Sequence, residues 1–395
     1  MHTTTRLVKG LLLSVILSFV AVGSVANGAD SCRAVFNPAA RETLRFSAIR
    51  PVSSASVQKR ALDTVREIKI LQYNVENLFM TVGKHERVPE GFRRVTDSEI
   101  KPAHELEGIA KPMREFDPDL MVMQEIESVD SLARFNKDYL GGKYRPLLVK
   151  GNDERGINIG FYVKQDLPLD ITIESHKNTQ WTDPTSGRTQ NLFSRDVPAV
   201  MIRRQGEVGA PLLIVLGNHA KSKRDRDGDP LSERLRAAQY QGVGKIIDGY
   251  RAKYGKDVAI VMAGDFNTDV RTSASVKPVR DRMVDAFDVK GLQGPARVTH
   301  TYHPNGGKAE YNQIDAIFVS PSLSRSIVAA GVYRYKDASG REKPLPRTYD
   351  ERGTNPSDHF PVMVKVSTEK IFPEAHGSQR PAPAPAPRPR VASGF

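Results

Sequence analysis

The stretch VAIVMAGDF (258–266) holds an unbroken apolar run from Val258 to Ala263, and such a run restricts the fold sharply. It has the length and composition of a strand buried on both faces, since a half-exposed strand would alternate. The same kind of run recurs in EIKILQYNV (67–75), DLMVMQEI (119–126), INIGFYV (157–163), VPAVMIRR (197–204), PLLIVLGNH (211–219), QIDAIFVS (313–320) and FPVMVKV (360–366). Helical patterns between them are few. Pro102 to Phe116 carries Leu106, Ile109, Ala110 and Met113 at helical spacing, interrupted by Pro112. LSERLRAAQYQGVGKIIDGY (231–250) sets Leu231, Leu235, Ala238, Val243, Ile246 and Ile247 near one face. Many buried strands and few helices predict a layered α/β domain whose core is two packed sheets flanked by helices.

Polar residues gather where these runs stop. Gly264 lets the chain turn, and Asp265 and Asn267 follow at once. QYNVEN places Asn74 and Glu76 after a strand, LMVMQEIE places Glu125, and LIVLGNHAKSK places Asn218, His219, Lys221 and Ser222. Asp315 opens QIDAIFV, and Asp358 and His359 precede FPVMV. A lone strand-end Asp is ordinary turn chemistry. The whole set is not. Polar groups this close to a core need hydrogen bonds, a cation or water to offset their desolvation. Carboxylates and amides without cysteine suit a hard cation such as Mg2+, Mn2+ or Ca2+ rather than zinc. Phosphate-ester hydrolysis needs a divalent cation, an activated water and positive charge around the phosphoryl oxygens, and this set supplies all three. There is no GxSxG elbow, no GxxxxGK[ST] loop and no HExxH.

Charge and termini narrow the setting. The chain of 395 residues carries a formal charge of +12 and has a pI near 9.6. That excess favours polyanions such as nucleic acid, phosphorylated compounds or an anionic surface, although the basic residues are scattered. Arg6 and Lys9 precede an apolar stretch, Gly10 to Val22, too short to span a bilayer comfortably. Residues 1–29 therefore read as a signal peptide cleaved after Ala26 or Ala29, which makes the protein secreted or periplasmic. Cys32, the sole cysteine, excludes an intramolecular disulfide and a cysteine-cluster zinc site. Residues 30–66 read as a leader segment, 67–367 as one domain, and the Pro/Ala-rich 368–395 as a disordered tail. No protein partner is legible, and a monomer is expected.

NVENLF, QEIE, ERGINIGFY, SRD, NHAKSK, GDFN, QIDAIF and SDHFPV, in this order, resemble the endonuclease/exonuclease/phosphatase superfamily, which includes deoxyribonuclease I. NVENLF, ERGI and NHAKSKRDRDGDPLSERLRAAQ look like its bacterial extracellular-nuclease branch. The resemblance implies a four-layer α/β sandwich with two packed, mainly antiparallel sheets flanked by helices. It implies that Asn74 and Glu125 hold the cation and that Asp358 supports the metal region. His219 stabilises or protonates the phosphate and leaving group, Asp265 orients or deprotonates the attacking water, and Asn267 bonds the phosphoryl oxygen. His359 contacts the scissile phosphate, with Asp315 fixing its tautomer. Either Asp265 or the His359–Asp315 pair then serves as general base.

Around this set, Arg155, Arg195 and Lys221 are candidate binders of substrate phosphates, although Arg195 has an alternative as an ion pair with Asp196. Glu76 has either a network or a surface role. Asp225, Asp227 and Asp229 alternate as in a calcium loop but miss its glycine and glutamate positions, and read as a solvated loop. His300 and His303 of THTYH read as loop histidines, and Trp181 as a packing or surface residue. The expected activity is divalent-metal-dependent phosphodiester hydrolysis, with nucleic acid as substrate. A lipid, inositol-phosphate or other small phosphoester is the alternative, followed by a silent binding module.

Overall fold

The computed structural model describes residues 42–44, 60–80, 99–226, 228–304 and 307–373. The expected signal peptide, Cys32, Asp227 and the tail from 374 onward lie outside the described residues. The strands, in chain order, are β1 (Glu42–Leu44), β2 (Glu67–Leu78), β3 (Leu120–Ile126), β4 (Tyr144–Leu148), β5 (Asn158–Lys164), β6 (Leu169–Ser175), β7 (Gln180–Thr182), β8 (Thr189–Asn191), β9 (Ala199–Arg204), β10 (Leu213–His219), β11 (Ile260–Asp265), β12 (Val284–Asp285), β13 (His300–Tyr302), β14 (Glu310–Asn312), β15 (Asp315–Val319), β16 (Ile327–Val332) and β17 (Val362–Ser367). Three long helices accompany them: α1 (Ala103–Phe116), α2 (Val129–Leu140) and α3 (Glu233–Tyr254).

A seven-stranded sheet runs β1-β6-β9-β10-β11-β15-β12, and a six-stranded sheet runs β16-β17-β2-β3-β5-β4. Within them β10 pairs β11 and β2 pairs β3 in parallel, and the other pairings are antiparallel. Side chains alternate along a strand, so one face of each sheet meets the other sheet and the second face meets helices. Ile70, Val122, Ile159 and Phe161 meet Val200, Val215, Val261 and Ile317 between the sheets. Leu71, Tyr73, Met121 and Met123, of opposite parity, pack under Ile109 and Met113 of α1 and Leu132 and Phe135 of α2. On the far side α3 covers the seven-stranded sheet. There Tyr240 stacks on Phe266 at 5.7 Å, and Tyr250 meets His176 edge-on at 6.0 Å. The layers are thus helix, sheet, sheet, helix, a four-layer α/β sandwich. Burial on both faces is why the strands read as unbroken apolar runs. Each buried aliphatic or aromatic side chain there contributes about 1.5–3 kcal/mol.

Several elements differ from the sequence reading. α1 continues through Pro112, losing only the bond its N–H would have made to Gly108, because the ring is buried and packing compensates. Leu231 is 52% exposed, because Pro230–Ser232 forms a separate turn with Leu231 at φ 54° and α3 starts only at Glu233. Helix α2 and strands β4, β6 and β16 are additional to the elements expected from the sequence. β1 pairs with β6, and Leu62, Ile371 and Phe372 join the core, which extends past residue 367. Trp181 lies buried in the short β7–β8 hairpin. No helix of the described residues is long and apolar enough to cross a membrane.

Candidate active site

At one end of the inter-sheet core the same alternation that delivers apolar residues delivers polar ones. Val261 and Ala263 lead to Asp265, Val215 and Gly217 lead to His219, Ile70 leads through Gln72 to Asn74, and Ile317 leads back to Asp315. Register then places them side by side: β10 sets His219 opposite Asp265, and β15 sets Asp315 opposite Asp265. Gly217 has to be glycine, since a Cβ there would stand 2.6 Å from Ile159 Cγ2 of the facing sheet. Gly264 is similarly fixed, since its Cβ would meet the Asn218 carbonyl oxygen at 1.9 Å.

Glu125 reaches the site by a different device. Its parity matches Met123, which faces the helices. The ladder to β5 shifts register between Gln124 and Ile126, and Glu125 takes the left-handed φ of 65°. This bulge turns the carboxylate toward His219, whose Nε2 lies 4.0 Å from Oε1. Glu76 and Asn267 are also left-handed, both with φ 50°. Such backbone costs of order 1–3 kcal/mol per residue and clusters at functional sites.

Asp265 is the hub. Its Oδ2 accepts from Asn74 Nδ2 at 3.1 Å and Asn267 Nδ2 at 3.1 Å, and its Oδ1 accepts from the Asn267 N–H at 2.7 Å. Burial pushes its carboxyl up to about 6; His359 opposes the rise and Asp315 adds to it. His359 Nδ1 donates to Asp315 Oδ2 at 2.8 Å, and the other Asp315 oxygen accepts from Gln72 Nε2 at 2.9 Å. Burial alone would lower the His359 pKa, but Asp315, Asp358 and Asp265 together raise it well above the ordinary value. His359 is therefore a cation at neutral pH, with Nε2 3.7 Å from Asp358 Oδ1 and 4.0 Å from Asp265 Oδ2. His219 goes the other way. Burial, then Arg195 and His359, hold it well below the ordinary value, so it is neutral. Its Nε2 is 3.5 Å from Asp265 Oδ2, and its buried Nδ1 has no partner among the described residues.

The donor set fits a hard divalent cation. Glu125 accepts no hydrogen bond among the described residues. Burial, reinforced by Asp358, raises its pKa, and Arg155, His359 and Arg195 offset this only in part. A partly buried carboxylate that accepts no hydrogen bond is stabilised by a neighbouring positive charge. Asn74 stands beside it, its Oδ1 accepting the Glu76 N–H at 3.1 Å.

The structure also sorts the remaining candidates. Asp358 is held well below the usual carboxylate range: burial opposes this, and His359, His300 and Arg352 outweigh it. Glu76 has a network role, ion-paired to Arg352 and accepting the Asp358 N–H at 3.2 Å. Arg195 is buried and paired with Asp153 at 2.9 Å, and its Nη1 donates to the Ala220 carbonyl at 3.0 Å. It does not pair with Asp196, whose carboxylate serves Ser175 and the His176 N–H. Arg155 shares Asp153 at 3.5 Å and is half exposed. Burial, then Arg195 and Arg226, lower Lys221 to about 8. Both Asn267 amide hydrogens are engaged, one by Asp265 and one by the Ala220 carbonyl at 3.0 Å. Asp225 and Asp229 accept from backbone N–H groups of Leu231, Arg234 and Leu235, as turn and helix-start residues do. His300 is not the loop residue the sequence predicts: its ring lies 4.7 Å from that of His359 and its Nε2 3.5 Å from Asp358 Oδ2. His300, Asp358 and His359 bring ligand-type atoms within 4.8 Å of one another. His303 meets the Pro346 carbonyl instead.

Among solved structures, a truncated Caenorhabditis elegans TDP2 is similar at 16% identity and a TM-score of 0.49, over 76% of this chain and 98% of that one. A Bacteroides thetaiotaomicron endonuclease/exonuclease/phosphatase family protein is similar at 18% identity and a TM-score of 0.47, over 76% and 94%. TDP2 from D. rerio, complexed with a single-strand DNA product, is similar at 15% identity and a TM-score of 0.44, over 76% and 98%. No curated protein matches the sequence. The profile of the Endonuclease/Exonuclease/phosphatase family matches residues 69–368. The chain therefore belongs to the endonuclease/exonuclease/phosphatase family and is a metal-dependent hydrolase of phosphate esters.

Proposed function

We propose that the protein is a secreted nuclease that hydrolyses nucleic-acid phosphodiester bonds by attack of water, with Mg2+, or Mn2+ or Ca2+ in its place, held by Glu125 and Asn74 and supported by Asp358. The observation that carries this is the pairing of opposites at the hub. Asp265, raised to about 6, stands 4.0 Å from a His359 that Asp315 keeps cationic. A base and a cation within one site is what water attack on a phosphodiester requires.

The electrostatics divide the work. Asp265 is ionised at neutral pH and takes the proton of the attacking water, held in aim by Asn74 and Asn267. His359 carries its proton already, so it acts as a donor to a phosphoryl oxygen and not as the base. Neutral His219 hydrogen-bonds through its ring N–H to the phosphate or the leaving oxygen. As water adds to phosphorus and gives its proton to Asp265, the bond to the leaving oxygen breaks; the imidazolium and Arg195 meet the charge that develops, and the leaving oxygen takes its proton from solvent. The bound cation supplies Lewis-acid polarisation of the phosphoryl group. Arg155 and Lys221 hold neighbouring phosphates, in keeping with the formal charge of +12 and with binding that weakens as salt rises.

The test is a substrate panel: plasmid DNA, single-stranded DNA, RNA and bis(p-nitrophenyl) phosphate, each with Mg2+, Mn2+, Ca2+ or EDTA. Cation-dependent cutting of a polymer supports the nuclease reading. Hydrolysis of the small ester with every polymer intact moves the substrate to small phosphoesters and rejects it.

A further inference from the structure

Large hydrophobic side chains are exposed at six described positions, and three of these are tyrosines at one rim of the site: Tyr302 at 53%, Tyr311 at 41% and Tyr349 at 68%. The β13–β14 hairpin that carries the first two is a separate two-stranded sheet outside the two core sheets. It is seated against the catalytic segment by backbone bonds, Phe360 N–H to the Thr299 carbonyl at 2.7 Å and Thr301 N–H to the Asp358 carbonyl at 3.3 Å. This pairing sets His300 opposite His359. Alternation puts Tyr302 on the same face as His300, roughly 7 Å further along. The Tyr311 hydroxyl donates to the Pro346 carbonyl at 2.9 Å, and His303 Nε2 reaches that oxygen at 3.3 Å. These bonds clamp the hairpin to the segment that leads into Tyr349. The Tyr349 ring lies under the Arg352 guanidinium at 6.0 Å, and Arg352 is itself 3.3 Å from Asp358. Exposed Arg347 and Lys308 lie in the same two segments.

On this evidence we propose that Tyr302 and Tyr349 form a stacking platform for unpaired bases flanking the scissile phosphate, which makes single-stranded nucleic acid the favoured substrate. The inference rests on the nuclease reading above and adds to it. Exposed aromatic faces beside a phosphate-handling site gain by covering apolar area with the π-face of a base, whatever its sequence. In a duplex those faces are already stacked on their neighbours. The basic side chains hold the backbone: Arg155 lines one pocket with Arg352, and Arg155 and Arg226 lie close enough to Lys221 to lower its pKa, so the positive charge continues beyond the hub.

The test compares binding of two fluorescein-labelled polymers to the full chain in EDTA: a twelve-nucleotide oligothymidylate and an abasic oligomer of the same length and charge. The platform predicts that the oligothymidylate binds roughly 5- to 150-fold tighter, the range that stacking on aromatic side chains gives per base. Tyr302→Ala and Tyr349→Ala each remove much of that preference. Tyr302→Phe keeps it, and Val328→Ala, at an exposed valine on β16, leaves it in place. Equal affinity for the two polymers, or a preference that survives both alanine substitutions, overturns the platform. If metal-dependent cleavage persists in that case, the nuclease reading stands. A protein that neither binds nor cuts any polymer fails the nuclease reading itself, and the platform falls with it.

Discussion

Asp315→Asn removes one negative charge from a fully buried position while keeping its shape. At 2.8 Å from His359 Nδ1, the lost attraction is roughly 6 kcal/mol for an effective dielectric of 20. Breaking buried pairs costs about 3–5 kcal/mol, and Asp358 and Asp265 remain beside the ring, so the lower end applies. Losing that charge therefore lowers the His359 pKa from its raised position. The assay is kcat/KM for bis(p-nitrophenyl) phosphate from pH 5 to 10 at saturating Mg2+. The wild-type alkaline limb follows the raised His359 pKa, and in the variant it moves down. Activity at pH 8 falls about 10²- to 10⁴-fold and recovers in part on acidification. Stability follows the same sign. His359 has a folded pKa above its unfolded one, so its pairing stabilises fully below about 6.5 and the effect fades as pH rises through the folded pKa. Thermal melts of the variant therefore lose that pH dependence. An unmoved alkaline limb with a uniform loss of rate would refute the cationic role of His359.

Three further outcomes follow from the geometry. Asp265→Asn removes the base, so the acid limb near pH 6 disappears along with most of the rate, as a pH profile of the residual activity will show. Glu125→Gln weakens cation binding at least tenfold by calorimetric titration. It also raises the melting temperature in EDTA at neutral pH: the folded pKa of Glu125 is raised, so its ionised form costs stability above the unfolded pKa of about 4.5, and glutamine removes that cost. Gly264→Ala forces a Cβ to within 1.9 Å of the Asn218 carbonyl and costs about 3 kcal/mol or more by urea unfolding.

The site was legible wherever chemistry followed directly on an apolar run. Asn74, Glu125, His219, Asp265, Asp315 and His359 each adjoin a strand whose burial is written in its composition, so the core fixes their position. His300 was not legible. THTYH contains no such run, and only the pairing of β13 with residues 358–360, some sixty positions away, brings the ring to His359. The partner of Arg195 was missed for a similar reason. Asp196 adopts φ 73° and turns its carboxylate to Ser175 and His176, leaving Arg195 to Asp153. Helix α2 was not legible as an apolar run: in VDSLARFNKDYL the apolar residues recur at helical spacing, with Leu132, Phe135 and Leu140 facing the core, but they are interspersed with polar ones. Its N-terminus is fixed by a Ser128–Ser131 capping box, not by the commoner Ser–Glu form. Strand β6, LDITIES, alternates and so lacked the buried-run signature. The fold class was in the apolar runs, and what escaped depended on contacts distant in sequence.

The most direct test of the central claim is cation-dependent hydrolysis of a phosphodiester by the wild-type chain and by His359→Ala, each in Mg2+ and in EDTA. The site described here predicts turnover by wild type in Mg2+ alone and its loss, by about 10²-fold or more, in the variant. Equal rates in Mg2+ and EDTA, or a variant as active as wild type, would contradict it.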